Sequence, residues 1–286
     1  MHWILSPEPP VPTLAVPLLE DLISSQEFIS AENPIAWMKQ KLMINDQEIQ
    51  QIACLTTGQK ENCMWASVRK YRLTASNFGC VLAASKRNRY SVSLYKRLCS
   101  AYDLSKKDAI IWGMCNEKVA IEKYRTFGDA VVEPTGWYLA QCNGVLGSSP
   151  DVFIRRPAAF GFSYQNPGLA DILEMLNVKP EILEVKCPFS AKNMTIPEAI
   201  EKVHDFCLEV QNFNGVKSFK LRENHQYYDQ VQGQLHITGK SLCDFMVWTP
   251  KDCAIVRINK DINWEINISV LTDFYFCKFL PYLQQL

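Results

Sequence analysis

The sequence lacks the features that would assign it to a membrane or secreted protein. No apolar run approaches the roughly 18 residues that span a bilayer. None of the eleven cysteines stands in a Cys-x-x-Cys pair. The start carries no basic leader and is broken by five prolines before residue 20, which argues against a signal peptide. We therefore expect an intracellular protein, nuclear or cytosolic, with reduced cysteines and no membrane partner.

Net charge is also absent, because 30 Lys and Arg residues balance 30 Asp and Glu residues. The charges are nevertheless distributed unevenly, since residues 62–102 contain no acidic side chain. This segment carries eight basic residues, namely Arg69, Lys70, Arg72, Lys86, Arg87, Arg89, Lys96 and Arg97. A segment of one sign in a neutral chain is typical of a surface that follows nucleic-acid phosphates, although a solvated basic face gives the same pattern.

The composition, 48% apolar and 21% charged, is that of a folded globular protein. Hydrophobic periodicity predicts helices near residues 74–82, 92–102, 115–127, 224–237 and 264–280, and strands near 145–154, 181–187, 243–248 and 254–258. Helices followed by a sheet with an inserted helix predict an α/β layer architecture. We expect a Pro-rich extension over residues 1–44 and one domain over residues 45–286.

One predicted strand carries an acidic and a basic side chain on the same face. Side chains alternate between the two faces of a strand, so in the segment 181–187 Glu184 and Lys186 project together while the alternate residues enter the core. Pro188 follows directly and ends the strand. Such a pair in isolation is typical of a surface ion pair, so the surrounding sequence has to decide whether it belongs to an active site.

The segment upstream offers a second carboxylate, Asp151, directly after the stiffening Pro150. Two carboxylates from adjacent strands, with a backbone carbonyl such as that of Val185, form the all-oxygen ligand set that Mg²⁺ requires. A bound metal ion activates water and neutralises the charge that develops at phosphorus. Lys186 would hold that water or a phosphate oxygen as a point charge. These residue types together predict phosphodiester hydrolysis.

The predicted helix after Asn224 presents a polar face to this site. Tyr227, Gln230 and Gln234 share that face because they lie three and four residues apart. We expect Gln230 to bond the attacking water or the scissile phosphate and Tyr227 to contact DNA. An ordinary solvated helix face has the same spacing.

Five separated motifs occur in the order found in a known nuclease family. They are Trp65-x3-Arg69-x2-Arg72-Leu-Thr-Ala-Ser76, Trp112-Gly113-x3-Glu117, Gly147-x-Ser149-Pro150-Asp151, Leu183-Glu184-Val185-Lys186-Cys187-Pro188 and Tyr227-x2-Gln230-Val-Gln232. On these motifs the chain resembles the YqaJ and phage lambda exonuclease family of PD-(D/E)xK nucleases, from near Asn45 almost to the C-terminus. The resemblance implies a restriction-endonuclease-like α/β/α core with a central mixed β-sheet flanked by helices.

The resemblance also implies roles for individual residues. Asp151 and Glu184 would bind the catalytic metals, two Mg²⁺ ions for which Mn²⁺ can substitute, with Glu117 supporting the second ion and Lys186 orienting the water. Arg69, Ser76 and Ser149 would hold a terminal 5′-phosphate, and Arg72 belongs to the same DNA-binding motif. The implied activity is 5′-to-3′ exonuclease action on duplex DNA ends in recombination or repair. A ring-like homotrimer is implied by the family alone.

Two departures from the family pattern keep other functions open. Val152 stands where the family has Gly, so the local hairpin must differ because a β-branched residue disfavours positive φ. An insertion at about residues 155–180, with a short helix expected at 167–176, separates Asp151 from Glu184. These departures support one alternative, a DNA-binding module whose catalysis is impaired. The other alternative, an endonuclease or single-strand nuclease with the same metal site, stays open because the metal chemistry does not fix the substrate.

Overall fold

The computed structural model describes residues 16–100, 106–127, 130–141, 143–155, 180–213 and 216–286. Its α-helices are α1 Leu19–Ser24, α2 Gln26–Ile29, α3 Pro34–Lys41, α4 Asp46–Leu55, α5 Cys63–Arg69, α6 Ala75–Lys86, α7 Val92–Leu98, α8 Asp108–Arg125, α9 Ile196–Lys202, α10 Gln226–Thr238, α11 Ile266–Phe274 and α12 Leu280–Leu283. Its strands are β1 Leu73–Thr74, β2 Val131–Pro134, β3 Tyr138–Leu139, β4 Leu146–Ser148, β5 Val152–Arg155, β6 Ile182–Lys186, β7 Leu208–Phe213, β8 Val216–Leu221, β9 Leu242–Trp248 and β10 Cys253–Asn259.

The central sheet has five strands in the order β10-β9-β6-β5-β2. Strands β6 and β9 run parallel, whereas the other neighbours in the sheet are antiparallel. A parallel pair requires a crossover connection, and here the crossover contains α9, the β7–β8 hairpin and α10. The prediction of a central mixed sheet flanked by helices is confirmed.

Helices cover both faces of β6, so the side chains that point to either face are buried. Leu183 and Val185 pack on one face in a cluster with Ala120 and Tyr124 of α8. Ile182 packs on the other face with α10. The charged pair that shares this second face therefore lies beneath a helix, close to the end of the strand.

Helices α6 and α10 approach each other closely because each has a glycine at the contact. A Cβ atom added to Gly79 would lie 2.7 Å from the Gln226 Cα atom, and one added to Gly233 would lie 2.4 Å from the Phe78 ring. Gly233 therefore permits α10 to pack closely on α6, and this packing places α10 next to Ala75 and Ser76 at the start of α6.

The structure changes several boundaries that were predicted from the sequence. Helix α8 begins at Asp108, seven residues before the predicted start, and the single strand predicted over 145–154 is two strands, β4 and β5. Val152 lies in β5 and has no positive φ. The predicted insertion at 155–180 and its helix at 167–176 lie almost entirely outside the described residues.

The described part of the N-terminal extension packs into the main core. Leu19, Phe28, Met38 and Leu42 are all 0% exposed and belong to the same cluster as Phe78. Within the described ranges, no helix combines the length and the apolar character that crossing a membrane requires.

Candidate active site

Asp151 is held at the point where the chain passes from β4 into β5. The carbonyl of Pro150, directly before it, accepts hydrogen bonds from Thr135 Oγ1 and from Gln59 Nε2, the latter at 2.7 Å. The Asp151 carboxylate in turn accepts a hydrogen bond from the backbone N–H of Val185 at 2.7 Å. This bond lies next to the last residue pair of the β5–β6 ladder, Val152 with Leu183. The carboxyl of Asp151 is thereby fixed beside β6.

Glu184 is 2% exposed and is surrounded by three side-chain donors. Lys186 Nζ and Gln230 Nε2 both lie 2.5 Å from its Oε1 atom, and Gln234 Nε2 donates to its Oε2 atom at 2.7 Å. Gln230 and Gln234 reach this carboxylate from successive turns of α10. A buried carboxylate requires such partners, since an unpaired buried charge is strongly unfavourable.

The charges of the site act on one another. Burial raises the pKa of Asp151 well above its ordinary value, and the nearby Glu184 and Glu117 carboxylates raise it further. Burial alone would lower the pKa of Lys186, but Glu184, Tyr227 and Asp151 offset it, so the pKa of this ammonium is raised. Lys186 is therefore a permanent cation among excess negative charge, which is an arrangement that an added divalent cation would relieve.

A cavity of about 370 Å³, here called the large cavity, opens at the end of β6. It is lined by Glu117 from α8, by Val185 and Lys186, and by Tyr227, whose ring centroid lies 4.8 Å from Lys186 Nζ. Glu117 Oε2 also lies 3.5 Å from Lys60 Nζ. Among the residues that the structure describes, no three His, Cys, Asp or Glu side chains lie together as a ready-made metal cluster.

Cys187 also lines the large cavity, next to Lys186. Burial, followed by the neighbouring carboxylates of Glu117 and Asp151, raises the pKa of the Cys187 thiol to about 12. The thiol is therefore neutral near pH 7, and a thiol rather than a thiolate is a poor nucleophile. We therefore do not expect Cys187 to act as a nucleophile.

A second space, here called the polar cavity, has a volume of about 60 Å³. The structure brings Arg69, Ser76 and Ser149 together around it, as the resemblance implies. The guanidinium of Arg69 stacks on the Trp65 ring at 4.2 Å, and burial lowers its pKa. Within the described part of the chain this guanidinium has no ion pair or side-chain hydrogen bond, so a cation faces the cavity without an anion.

Three further buried polar groups belong to residues that line the polar cavity, and sequence reasoning gave them no role. Trp137 Nε1, Ser148 Oγ and Gln234 Oε1 are buried and have no hydrogen-bond partner among the described residues. The signal for Gln234 is present in the sequence, since it lies one helical turn after Gln230. Ser148 and Trp137 carry no comparable signal, because their meeting depends on the pairing of β3 with β4.

Arg72 is the predicted DNA-binding residue that the structure places elsewhere. Its side chain is 2% exposed, and its guanidinium donates to the carbonyls of Val68, Gly144 at 2.8 Å and Pro17 at 3.3 Å. Burial lowers the pKa of Arg72 to about 10. Its donors are engaged with backbone carbonyls of three segments, so it joins those segments and lines neither cavity.

Comparisons with known proteins give one family match and several structures of similar fold. The model of the YqaJ-like viral recombinase domain matches residues 64–241, a shorter span than the 45–286 predicted from the motifs. LHK-Exo in complex with dAMP is 19% identical and covers 77% of this chain and 95% of its own, with a TM-score of 0.51.

Two further solved structures give lower TM-scores. The alkaline exonuclease LHK-Exo from Laribacter hongkongensis is 20% identical, with 77% and 95% coverage and a TM-score of 0.49. The shutoff and exonuclease protein of Kaposi's sarcoma associated herpesvirus is 10% identical, with 88% and 76% coverage and a TM-score of 0.44. No curated protein matches the chain.

Proposed function

The chain belongs to the YqaJ-like viral recombinase domain family, and from this premise we propose that it is a Mg²⁺-dependent 5′-to-3′ exonuclease acting on duplex DNA ends. Membership supports a nuclease that hydrolyses DNA in recombination, with a divalent cation as cofactor. The observation that carries the finer proposal is the convergence of Asp151, Glu184 and Lys186 at the end of β6, beside the cavity that Glu117 lines.

The donor set suits a hard divalent cation. Asp151, Glu184 and Glu117 offer carboxylate oxygens and Val185 a backbone carbonyl, which are ligands for Mg²⁺ or Mn²⁺ rather than for a soft metal. Burial and then the repulsion from Glu184 and Glu117 raise the pKa of Asp151, and this repulsion supports the same assignment. A bound cation would supply an activated water and neutralise charge at phosphorus. We propose two ions, with Glu117 supporting the second.

The other side chains divide the remaining tasks. Lys186 holds the attacking water or a phosphate oxygen, Gln230 orients Glu184 and the scissile phosphate, and Tyr227 contacts the DNA from the wall of the large cavity. Arg69, Ser76 and Ser149 bind a terminal phosphate, since a guanidinium with hydroxyls recognises a phosphate monoester by charge-assisted hydrogen bonds. Binding of the end then determines exonuclease polarity.

Three DNA substrates test this proposal in one assay with Mg²⁺. Linear duplex with 5′-phosphate ends, the same duplex with 5′-hydroxyl ends, and closed circular DNA are each incubated with the purified protein. We expect mononucleotide release that is fastest from the phosphorylated ends and absent from circles. Nicking of circles would instead identify an endonuclease, and salt-dependent binding without cleavage would identify a DNA-binding module.

Two variants connect the assay to the site. We expect Glu184→Gln and Lys186→Ala each to lower cleavage by at least about a hundredfold, because each removes a group needed in the transition state. Circular dichroism checks that the fold is kept. Full activity in both variants would exclude this site as the source of cleavage.

Three wider expectations remain proposals. They are a homo-oligomeric ring around DNA, an intracellular location, and a family domain that begins near residue 45 but needs the preceding segment for its fold.

A further inference from the structure

The side chain of Gln234 connects the carboxylate of Glu184 to the polar cavity. It is 1% exposed, and its Nε2 atom donates to Glu184 Oε2 at 2.7 Å. A carboxylate only accepts hydrogen bonds, so this bond fixes which end of the amide faces Glu184. The opposite end, Oε1, is buried without a partner among the described residues and belongs to a side chain that lines the polar cavity.

The other groups around the polar cavity that have no partner among the described residues are all able to donate. Trp137 Nε1 donates only, Ser148 Oγ can donate, and Arg69 brings a guanidinium. Gln234 Oε1 differs because it can only accept. Buried polar groups are normally hydrogen-bonded, so the cavity suits an occupant that presents several acceptors and at least one donor. The volume of about 60 Å³ limits that occupant to a group much smaller than a nucleoside.

A terminal phosphate monoester meets this description and an internal phosphodiester does not. The singly protonated monoester has one P–OH donor for Gln234 Oε1 and further oxygens for Trp137, Ser148 and Arg69. A bridging diester has no hydroxyl. The second pKa of a phosphate monoester, about 6, is close enough to neutrality for an acceptor in the cavity to select the protonated form.

We infer that Gln234 is a positioning residue that couples the binding of a terminal phosphate monoester in the polar cavity to the orientation of Glu184. This rests on the proposed function and adds to it the side chain through which a bound DNA end acts on Glu184. With Oε1 satisfied by the occupant, the amide of Gln234 is held at both ends. Glu184 Oε2 is then fixed, and cleavage is favoured on a chain whose end occupies the cavity.

The matched pair Gln234→Leu and Gln232→Leu tests the coupling. Gln232 is a buried glutamine of the same helix, but it bonds the backbone of Asn259 and Asp261 and not Glu184. For each protein the ratio of kcat/KM on 5′-phosphate duplex to kcat/KM on 5′-hydroxyl duplex is measured with Mg²⁺. Binding of both duplexes is measured by fluorescence anisotropy in chelator. A duplex ending in 5′-methylphosphate, which has lost one P–OH, is the third substrate.

We expect Gln234→Leu to reduce the phosphate-to-hydroxyl ratio about tenfold, the effect of losing one hydrogen bond to a charged group, and Gln232→Leu to leave it unchanged. In the unaltered protein the methylated end should behave like the hydroxyl end. Ser148→Ala, a smaller change that does not touch Glu184, should reduce the same ratio and serves if Gln234→Leu does not fold.

The two levels of the proposal fail separately. If the unaltered protein cleaves neither duplex, the proposed function fails. The ratio of the affinities for the 5′-phosphate and 5′-hydroxyl duplexes, measured by anisotropy, still tests whether the polar cavity selects the terminal phosphate. If cleavage occurs but Gln234→Leu slows both ends equally and leaves the ratio unchanged, Gln234 acts only through Glu184 and the coupling is overturned. Equal loss of the ratio in Gln232→Leu would also overturn it, because the effect would then come from the helix as a whole.

Discussion

Two arginines of one sequence motif have opposite surroundings. Arg69 lines the polar cavity, stacks on Trp65 and has no ion pair within the described part of the chain, whereas Arg72 is buried and bonds three backbone carbonyls. The motif alone assigns both to DNA. Burial separates them, because a guanidinium that is 2% exposed and bonded to backbone carbonyls on three sides cannot reach a phosphate.

Methionine at each position separates these roles while keeping most of the apolar stem. Arg72→Met should lower the free energy of unfolding by about 3 kcal/mol, because it leaves buried carbonyls without donors. Arg69→Met should lower it by about 1 kcal/mol or less, the size of a cation–π contact. Urea unfolding measures both. Arg69→Met, but not Arg72→Met, should also abolish the preference for 5′-phosphate ends, and the reverse pattern would contradict the assignment.

The raised pKa of Asp151 has a consequence for stability in the absence of metal. An unfolded Asp ionises near about pH 3.9, whereas burial and the carboxylates of Glu184 and Glu117 keep the proton on the folded protein to higher pH. Between the pKa of the unfolded Asp and the higher pKa of the folded Asp151, the folded state binds more protons than the unfolded state. The free energy of unfolding should therefore decrease as pH rises through this window.

Urea unfolding in chelator at several pH values, for the unaltered protein and Asp151→Asn, measures this slope. The variant has no carboxyl to ionise, so its stability should depend less on pH over that window. Added Mg²⁺ binds the ionised form and should raise Tm of the unaltered protein more than that of Asp151→Asn. Identical slopes in chelator would show that Asp151 does not carry the effect.

Secondary-structure elements were predictable where their pattern is local. The strand 182–186 and helix 226–238 follow from alternation and from polar and apolar helix faces, and both appear within two residues of the prediction. The β7–β8 hairpin was not predicted, since its strands lack a clean alternation of apolar residues. The first turns of α8 were also missed, because Ile110, Ile111 and Met114 are exposed rather than arranged on a buried stripe.

Contacts between elements were less predictable than the elements. Asp151, Glu184 and Lys186 were grouped from sequence because an acid before a strand and an acid–base pair on the next strand have a known geometric relation. The meeting of Trp137, Ser148 and Gln234 depends on how α10 packs against β3 and β4, which no local pattern encodes. The N-terminal segment was interpreted as an extension for the same reason, since the sequence does not show which elements its apolar side chains contact.

The α6–α10 contact makes a prediction that opposes helix propensity. Gly→Ala in a helix ordinarily stabilises by about 1 kcal/mol. At Gly233, however, the new Cβ would lie 2.4 Å from the buried Phe78 ring, which is 0% exposed and stacks on Trp264. We expect Gly233→Ala to destabilise by about 1–3 kcal/mol through overpacking.

Gly113 of α8 is the matched control for this change. A Cβ added there meets no atom within 4 Å, so Gly113→Ala should stabilise the protein by up to about 1 kcal/mol. Thermal unfolding of both variants is the measurement. A rise in Tm for Gly233→Ala would show that α6 and α10 do not pack at this distance.

At the scale of the whole molecule, the core that supports the polar cavity includes residues well before the family match at 64–241. Phe78 and Leu82 of α6 share a cluster with Leu19, Phe28, Met38 and Leu42. Helix α6 in turn contributes Ala75 and Ser76 to the cavity wall. The position of α6, and with it the geometry of the cavity, therefore depends on contacts with the N-terminal helices.

Removal of residues 1–44 tests this dependence. Leu19, Phe28, Met38 and Leu42 are 0% exposed, and loss of each large buried side chain costs about 2–5 kcal/mol. Their sum is comparable with the whole stability of a typical domain, about 5–15 kcal/mol. A chain that begins at Val16 keeps these contacts and is the reference. We expect the chain that begins at Asn45 to show no cooperative thermal transition and to be insoluble, because α6 and Arg72, which bonds the Pro17 carbonyl, lose their partners. A soluble 45–286 chain that melts at the same temperature as the reference would instead establish residues 1–44 as a separable extension.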